Sequence, residues 1–205
     1  MIYFSSIILA AVIVGAVNYF FNFAAFNFNA WNIVLCVVVS LVAVIAIDGL
    51  FATLVRWICP KKWFAVEKEG FAASKKECRF YEKLGIKKWK DKVVELGFFT
   101  GFRKNKIADP NNNEYVARYI IEANYGIGVH VAGMIFGFLV CLVFPAHWYS
   151  IGLPVGFVNM IVNSLSFMIL RYNLPKLRTL YRINAKRAAR REKTAQAEEN
   201  KSQTA

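Results

Sequence analysis

Three polar side chains that could take part in chemistry interrupt long apolar stretches of this sequence: His130, Asp48 and Asn163. Histidine suits acid–base work near neutral pH because its unperturbed pKa is about 6.5. A carboxylate among apolar residues is costly unless it is hydrogen-bonded, hydrated or protonated. Asp48 therefore indicates either a structural hydrogen bond or a functional site. The same two explanations hold for Asn163, because small polar side chains often join apolar helices.

His130 closes the stretch EANYGIGVH, which begins with Glu122. On a helix this offset of eight residues is about 80° around the axis and about 12 Å along it, so the two side chains cannot touch. Glu122 is expected to bind a cation such as Lys90 or Arg118, or to orient a substrate. His147 lies about 25 Å further along the helix and cannot act with His130. A partner that orients His130 must come from another element, and a purely structural hydrogen bond is the alternative role.

The elements that carry these residues are apolar helices. The chain has 205 residues, of which 57% are hydrophobic, and charged residues are absent from 1–47 and from 123–170. A helix needs about 20 apolar residues to cross a bilayer, so each run holds two crossings. The sequence predicts an all-α integral membrane protein with four transmembrane helices in two hairpins, within 1–59 and 126–171. The N-terminus lacks the positive region of a secretory signal and is interpreted as a retained anchor.

A basic region, 60–125, joins the two hairpins and is predicted to lie at the membrane surface. FAASKKECRFYEKLGI has the pattern of an amphipathic surface helix that ends at Gly85. GFFTGFRKNKIADPNNNE is rich in turn formers and predicts a loop or a re-entrant segment. A helix is expected to begin at Glu114, outside the membrane, and to continue into the third span. His130 would then lie about 6 Å below the cytoplasmic surface of the membrane. After the fourth span, 172–205 is predicted to form a basic helix and a disordered tail.

The distribution of charge predicts the orientation and the partners. The chain has 26 Lys and Arg against 13 Asp and Glu, and the basic residues lie in the central region, at its edges and in the C-terminal tail. The positive-inside rule then predicts a multi-pass protein with both termini cytoplasmic. The basic surface is expected to face an anionic inner leaflet or a phosphate-bearing substrate rather than nucleic acid. The four cysteines have no metal-ligand spacing, so no metal is expected.

Several segments together resemble a known family. FYEKLGIKKWKDK, GFFTGF with Lys104, EYVARYIIEANYGIGVH and NSLSFMILRYNLPKLRTL are similar, in order and spacing, to the small bacterial glycosyl-4,4′-diaponeurosporenoate acyltransferases. Those membrane enzymes attach a fatty acyl chain to the sugar of a glycosylated carotenoid acid. Glu122 and His130 match an acid and a histidine of the family's run E-T-x-R-x-E-x-x-H. Its arginine and its second acid are replaced by Tyr125 and Ile127.

The resemblance implies acyl transfer to a hydroxyl of a glycosylated lipid at the cytoplasmic face of the bacterial cell membrane. Such a reaction needs a base, for which His130 is the candidate, and Glu122 is the second candidate catalytic residue. No cofactor is implied beyond acyl-CoA or another acyl carrier as co-substrate. The candidate residues for binding the substrates are Asp48, Lys87, Lys88, Trp89, Lys90, Asn163, Arg171, Tyr172 and Asn173. The alternative is a non-catalytic membrane module whose lysines bind anionic lipid or a membrane partner.

Overall fold

The chain is mostly helical in the ranges that the computed structural model describes, residues 2–93 and 109–203. The α-helices are α1 Ile2–Phe21, α2 Ala30–Ile58, α3 Lys75–Lys83, α4 Ile86–Trp89, α5 Asn113–Phe136 and α6 Leu153–Gln203. The described ranges contain no strand, which confirms the all-α prediction. The loop or re-entrant segment predicted in GFFTGFRKNK lies outside the described residues.

Three helices are long and apolar enough to cross a membrane. They are α2, α5 together with its continuation to Leu142, and α6 with the turn that precedes it. The apolar part of α1, Ser5–Phe21, is shorter, so the fourth crossing and the orientation remain predictions. Large apolar side chains project outward from α1 and α2, among them Leu9 and Val42. Such a surface is one that a hydrocarbon environment would cover.

Polar side chains and a proline set the ends of the apolar helices. The Asn29 side chain accepts a hydrogen bond from the Trp31 backbone N–H (3.0 Å) and caps α2. The helix ends just before Pro60, since the residue before a proline is disfavoured in helical geometry. Asn112 caps α5 in the same way by accepting from the Tyr115 N–H (3.1 Å). Both caps satisfy backbone donors that a helix start leaves unpaired.

The last helix differs from its prediction. Where the sequence predicts a span, a separate basic helix and a disordered tail, α6 is one helix of 51 residues that passes through Pro175. Leu174 and Leu177 on either side of this proline are buried against α5, so tertiary packing holds the helix together there. Beyond the packed part the sequence consists mostly of Ala, Arg, Lys and Glu, which are strong helix formers.

Apolar packing forms two clusters, one that joins α1 and α2 to the start of α6 and one that joins α5 to α6. α6 packs most extensively on α5, and α5 also packs on α2. One cluster, at the uncharged end, contains Val14, Phe26, Ile33, Val37, Val44, Val140, Ile151 and Val155. The other contains Val116, Tyr119, Ile120, Ala123, Ile127, Leu170, Leu174 and Leu177. His130 and Asn163 lie between the two clusters along α5 and α6, and Asp48 follows Val44 of the first cluster along α2.

The segment between α2 and α5 folds onto the charged part of α6. Ser74 begins α3 with a capping box, accepting from the Glu77 N–H while Glu77 reaches back to the Ser74 N–H. Gly85 separates α3 from α4 and adopts the left-handed conformation, with φ of 72°, as expected for a residue that stops a helix. Tyr81 and Ile86 then pack against Tyr172 of α6. The helix predicted in FAASKKECRFYEKLGI is therefore present.

Candidate active site

Hydrogen bonds connect Asp48 of α2, His130 of α5 and Asn163 of α6 in one continuous chain. His130 Nδ1 lies 2.8 Å from Asn163 Oδ1, and Asn163 Nδ2 donates to Asp48 Oδ2 over 2.9 Å. Asn163 is 6% exposed, whereas Asp48 and His130 are partly buried. Helix α6 thus supplies a partner for His130 from another element, as the sequence predicts.

The orientation of the Asn163 amide follows from its surroundings and fixes the histidine tautomer. Asn163 Nδ2 faces a carboxylate oxygen of Asp48 and the backbone carbonyl of Asn159, at 2.9 and 3.2 Å. A backbone carbonyl can only accept a hydrogen bond, so the amide nitrogen must be on that side and Oδ1 must face the imidazole. His130 Nδ1 is then the protonated nitrogen, and Nε2 carries the lone pair that a general base requires.

Asn159 is a fourth member of the site. Its Nδ2 donates to Asp48 Oδ1 (3.1 Å) and to the backbone carbonyl of Gly133 (3.3 Å). Each oxygen of the Asp48 carboxylate therefore accepts a hydrogen bond from an amide of α6, which offsets the cost of holding the carboxylate away from bulk water. Asn159 is 8% exposed.

Gly133 of α5 and Gly137, which directly follows α5, make room for these asparagines. An added Cβ at Gly133 would lie 2.8 Å from Asn163 Oδ1, and one at Gly137 would clash with Asn159 Nδ2. Gly133 and Gly137 are one helical turn apart, as are Asn159 and Asn163. The two pairs interlock, so α5 and α6 approach closely enough for the amides to reach Asp48 and His130.

The site lies about two helical turns from the charged end of the helices. Arg56 is eight residues beyond Asp48, and Glu122 is eight residues before His130, about 12 Å along each helix. Arg56 Nη2 and Glu122 Oε2 form an ion pair of 2.6 Å. The depth of about 6 Å below the membrane surface that the sequence predicts for His130 stays a prediction. The partner of Glu122 is Arg56, and not Lys90 or Arg118 as the sequence suggested.

The two positions that depart from the family pattern are buried in packed cores. Tyr125 is 6% exposed and stacks on Phe64, with ring centroids 4.1 Å apart. The Arg56 guanidinium lies 5.3 Å from the centroid of the same tyrosine ring. Ile127 is 3% exposed and packs with Leu170. Neither residue joins the chain of hydrogen bonds that includes His130.

Arg171 fastens the surface segment to α6 rather than joining the His130 site. Its guanidinium donates to both oxygens of Glu77, at 2.6 and 2.8 Å, and to the carbonyls of Gly70 and Ala72. The hydrogen bond from Arg171 is the largest cause that lowers the pKa of Glu77 to about 2. Burial, together with the neighbouring Glu77, raises the pKa of Tyr81 to about 12.

The remaining predicted residues also lie at the charged end. The Tyr172 hydroxyl donates to Glu82 Oε1 (2.8 Å), and Lys87 Nζ pairs with the same oxygen (2.8 Å). The Trp89 indole donates to the Leu84 carbonyl. Lys88 is exposed, while Lys90 and Asn173 are partly buried. Tyr172 and Asn173 directly follow Arg171, which lies eight residues, about two helical turns, beyond Asn163 along α6.

Sequence reasoning missed Asn159, Gly133 and Gly137. A signal was present, because Asn159 precedes Asn163 by four residues and so shares its helix face. The spacing of the two glycines likewise marks a face where another helix can approach closely. His147 stacks on Phe26 at the uncharged end, with ring centroids 4.1 Å apart, far from this site. Among the described residues no group of three His, Cys, Asp or Glu side chains is arranged to hold a metal.

Comparison with known proteins identifies a family that matches this chain. The family described as glycosyl-4,4′-diaponeurosporenoate acyltransferase matches residues 60–183, which is more than half of the chain and includes His130, Asn159 and Asn163. The match confirms the resemblance drawn from the sequence and extends it toward the N-terminus. No curated protein and no solved structure is significantly similar to the chain. The chain belongs to the glycosyl-4,4′-diaponeurosporenoate acyltransferase family, and this is a family of acyltransferases.

Proposed function

We propose that this protein transfers a fatty acyl group to a hydroxyl of a glycosylated lipid, a glycosyl carotenoid-like acceptor, at the cytoplasmic face of the membrane. The observation that carries the proposal is the hydrogen-bonded chain Asp48–Asn163–His130, of which His130 and Asn163 lie in the region that matches an acyltransferase family. A base held in one tautomer by buried amides is what the activation of an alcohol requires.

The reaction follows from the roles of the three groups. His130 Nε2 takes the proton of the acceptor hydroxyl while the oxygen attacks the acyl carbonyl. Asn163 accepts from Nδ1–H and keeps the imidazole in position, and Asp48 stabilises the cation that forms through the shared amide. The proton then passes from His130 to the leaving group of the donor. Asp48 and Asn163 are therefore proposed as positioning residues, and His130 as the catalytic base.

The proposed arrangement in the membrane has four crossings and cytoplasmic termini in the bacterial cell membrane. It is supported by the apolar surface of α1 and α2 and by the clustering of Lys and Arg at one end of the helices. The acyl tails would lie in the bilayer. The phosphate of acyl-CoA or another acyl carrier would bind at the charged end, near Lys87, Lys88 and Lys90 around Trp89. The anionic inner leaflet would contact the same surface.

One experiment separates this proposal from a non-catalytic, lipid-binding module. Purified protein in nanodiscs is incubated with acyl donors and extracted glycolipids, and mass spectrometry detects an added acyl mass. We expect product with the wild type and at least about 100-fold less with His130→Gln, because the base is lost. His147→Gln is the matched control and should retain activity.

The alternative predicts a different pattern. If the chain only binds anionic lipid through its exposed lysines, His130→Gln leaves function unchanged, and charge reversal at Lys87 and Lys88 removes it. Absence of product from the wild type over a broad panel of lipids and donors would contradict the enzymatic proposal.

A further inference from the structure

The hydrogen bonds of Asn163 show on which side of the contact between α5 and α6 the base lies. The Asn163 amide binds Asp48 of α2 through its nitrogen and His130 of α5 through its oxygen. The nitrogen and the oxygen are at opposite ends of one amide, so His130 lies on the side of the contact that faces away from Asp48 and α2. The cleft between α5 and α6 on this side is called the His130 groove.

Apolar side chains of α5 continue the groove toward the uncharged end. Met134 is four residues beyond His130, and Phe138 is four residues beyond Met134, so the three side chains share one side of the helix. Phe138 lies in the 3₁₀ helix Gly137–Leu142, which directly continues α5. Met134 and Phe138 are partly buried. The wall of the groove next to the base is therefore apolar.

The opposite wall belongs to α6. Val155 packs with valines of α2 in the apolar cluster at the uncharged end. Phe157 is two residues further, about 200° around the helix axis, and therefore faces away from α2, as His130 does. Met160 follows Phe157 by three residues on the same side and precedes Asn163 by three. Two apolar side chains of α6 thus face the groove.

Phe138 and Phe157 close the groove at a defined distance from the base. Their ring centroids are 5.3 Å apart at an interplanar angle of 86°. The Phe138 ring also covers Gly156, where an added Cβ would lie 2.7 Å from Phe138 Cδ1. Phe138 is eight residues, about 12 Å, from His130 along the helix. An extended hydrocarbon chain covers about 1.1 to 1.2 Å per bond, so about ten bonds reach from the base to the rings.

The chemistry of the groove fits an acyl chain. An acyl chain is apolar from the first atom beyond its reacting carbonyl. In a glycosylated acceptor, the sugar separates the reacting hydroxyl from any apolar part. A sugar in the groove would place its hydroxyls against Met134 and Met160, where burial without hydrogen bonds is costly. Methionine side chains are flexible and adapt to the shape of a linear chain.

Resting on the proposed function, we infer that the acyl chain of the donor lies in the His130 groove and that Phe138 and Phe157 select its length. A chain of about ten carbons fills the groove from the base to the rings. A longer chain meets the rings and must bend out into the bilayer, which gives up packing contacts along the groove. A shorter chain leaves part of the groove without contacts.

The test measures kcat/KM for straight-chain acyl donors of about 6 to about 16 carbons. They are supplied as CoA thioesters and as carrier-protein thioesters, with extracted glycolipids as acceptors, and mass spectrometry quantifies the product. We expect the wild type to have its highest kcat/KM near about ten carbons. Phe138→Ala opens the groove as far as the close contact between Cys141 and Gly152. The ratio of kcat/KM for about fourteen to about ten carbons should then rise about 10-fold.

Two further variants test the same walls independently. Met134→Phe places a ring one helical turn from His130 and should move the optimum to about six carbons. Phe157→Ala should move the optimum toward longer chains, as Phe138→Ala does. The Phe157 side chain is 46% exposed, so its loss leaves the fold intact. These two variants decide the question even where Phe138→Ala fails to fold.

Phe136→Ala is the matched control, because it removes a ring of the same size outside the groove. Phe136 stacks on Phe51 of α2, with ring centroids 4.1 Å apart, and its loss should leave the chain-length profile unchanged. An unchanged profile in Met134→Phe and Phe157→Ala, or an equal shift in Phe136→Ala, would overturn the inference while leaving acyl transfer itself intact. Absence of product from the wild type with every donor would overturn the proposed function and this inference with it.

Discussion

Gly133→Ala is expected to inactivate the site through a single methyl group. The added Cβ would lie 2.8 Å from Asn163 Oδ1 and 2.9 Å from Asn163 Nδ2, whereas ordinary contacts of a Cβ begin at 3.4 Å. The amide must therefore move by about 0.6 Å. The His130–Asn163 hydrogen bond, 2.8 Å long, would then exceed the usual N–H···O range or the imidazole would follow the amide. A displacement of this order at a catalytic group can cost about 100-fold in rate.

The assay measures initial rates of acyl transfer by mass spectrometry. Thermal unfolding is measured on the same preparation of each variant. Replacing a helical glycine by alanine favours the helix by about 0.5 to 1 kcal/mol, which partly offsets the clash, so kcat should fall far more than the melting temperature. Gly49→Ala is the matched control, because it is next to Asp48 and has nothing within 4 Å of its added Cβ. Wild-type turnover by Gly133→Ala would refute the proposed role of the Asn163 amide.

Three further outcomes are expected from the contacts around the site. Glu77→Gln should lower stability by about 1 to 3 kcal/mol at neutral pH, since its hydrogen bonds to Arg171 are charge-assisted. The pKa of Glu77 is lowered to about 2. The loss of stability in Glu77→Gln relative to wild type, measured by thermal unfolding, should therefore be full above about pH 4.5 and should vanish as the pH falls toward 2. Asn159→Ala should reduce kcat by about 10-fold, since Asp48 loses one of its two amide donors; unchanged kcat would exclude a role for Asn159. Glu122→Gln should lower stability by at most about 1 kcal/mol, because its ion pair with Arg56 is partly exposed, and a loss of activity as large as that of His130→Gln would make Glu122 catalytic after all.

Much of the site could be predicted from the sequence because polar residues inside apolar helices are rare. Asp48, His130 and Asn163 stand out by that rule, since each interrupts a long apolar stretch of the sequence. The depth of His130 below the membrane surface stays a prediction, whereas its level relative to Asp48 and Asn163 follows from the hydrogen bonds that join the three helices. Only contact with the other helices fixes how deeply a helix is placed.

The pairing of the residues could not be predicted because it depends on how each helix is rotated about its axis. Asn159 has the same side chain as Asn163 and the same helix face, yet nothing local distinguishes a member of a hydrogen-bonded site from a helix-joining amide. The glycines opposite them, Gly133 and Gly137, gain meaning only when α6 is placed beside α5. The continuity of α6 through Pro175 likewise results from buried contacts on both sides of the proline.

The most direct test of the account is a double-mutant cycle on Asp48→Asn and His130→Gln, read as kcat/KM for acyl transfer. If Asp48 acts only through Asn163 on the imidazole, each single variant loses activity and the double variant is no worse than His130→Gln alone, as expected for residues that work as one unit. Losses that multiply in the double variant, or wild-type activity in Asp48→Asn, would contradict the hydrogen-bonded chain as the catalytic centre.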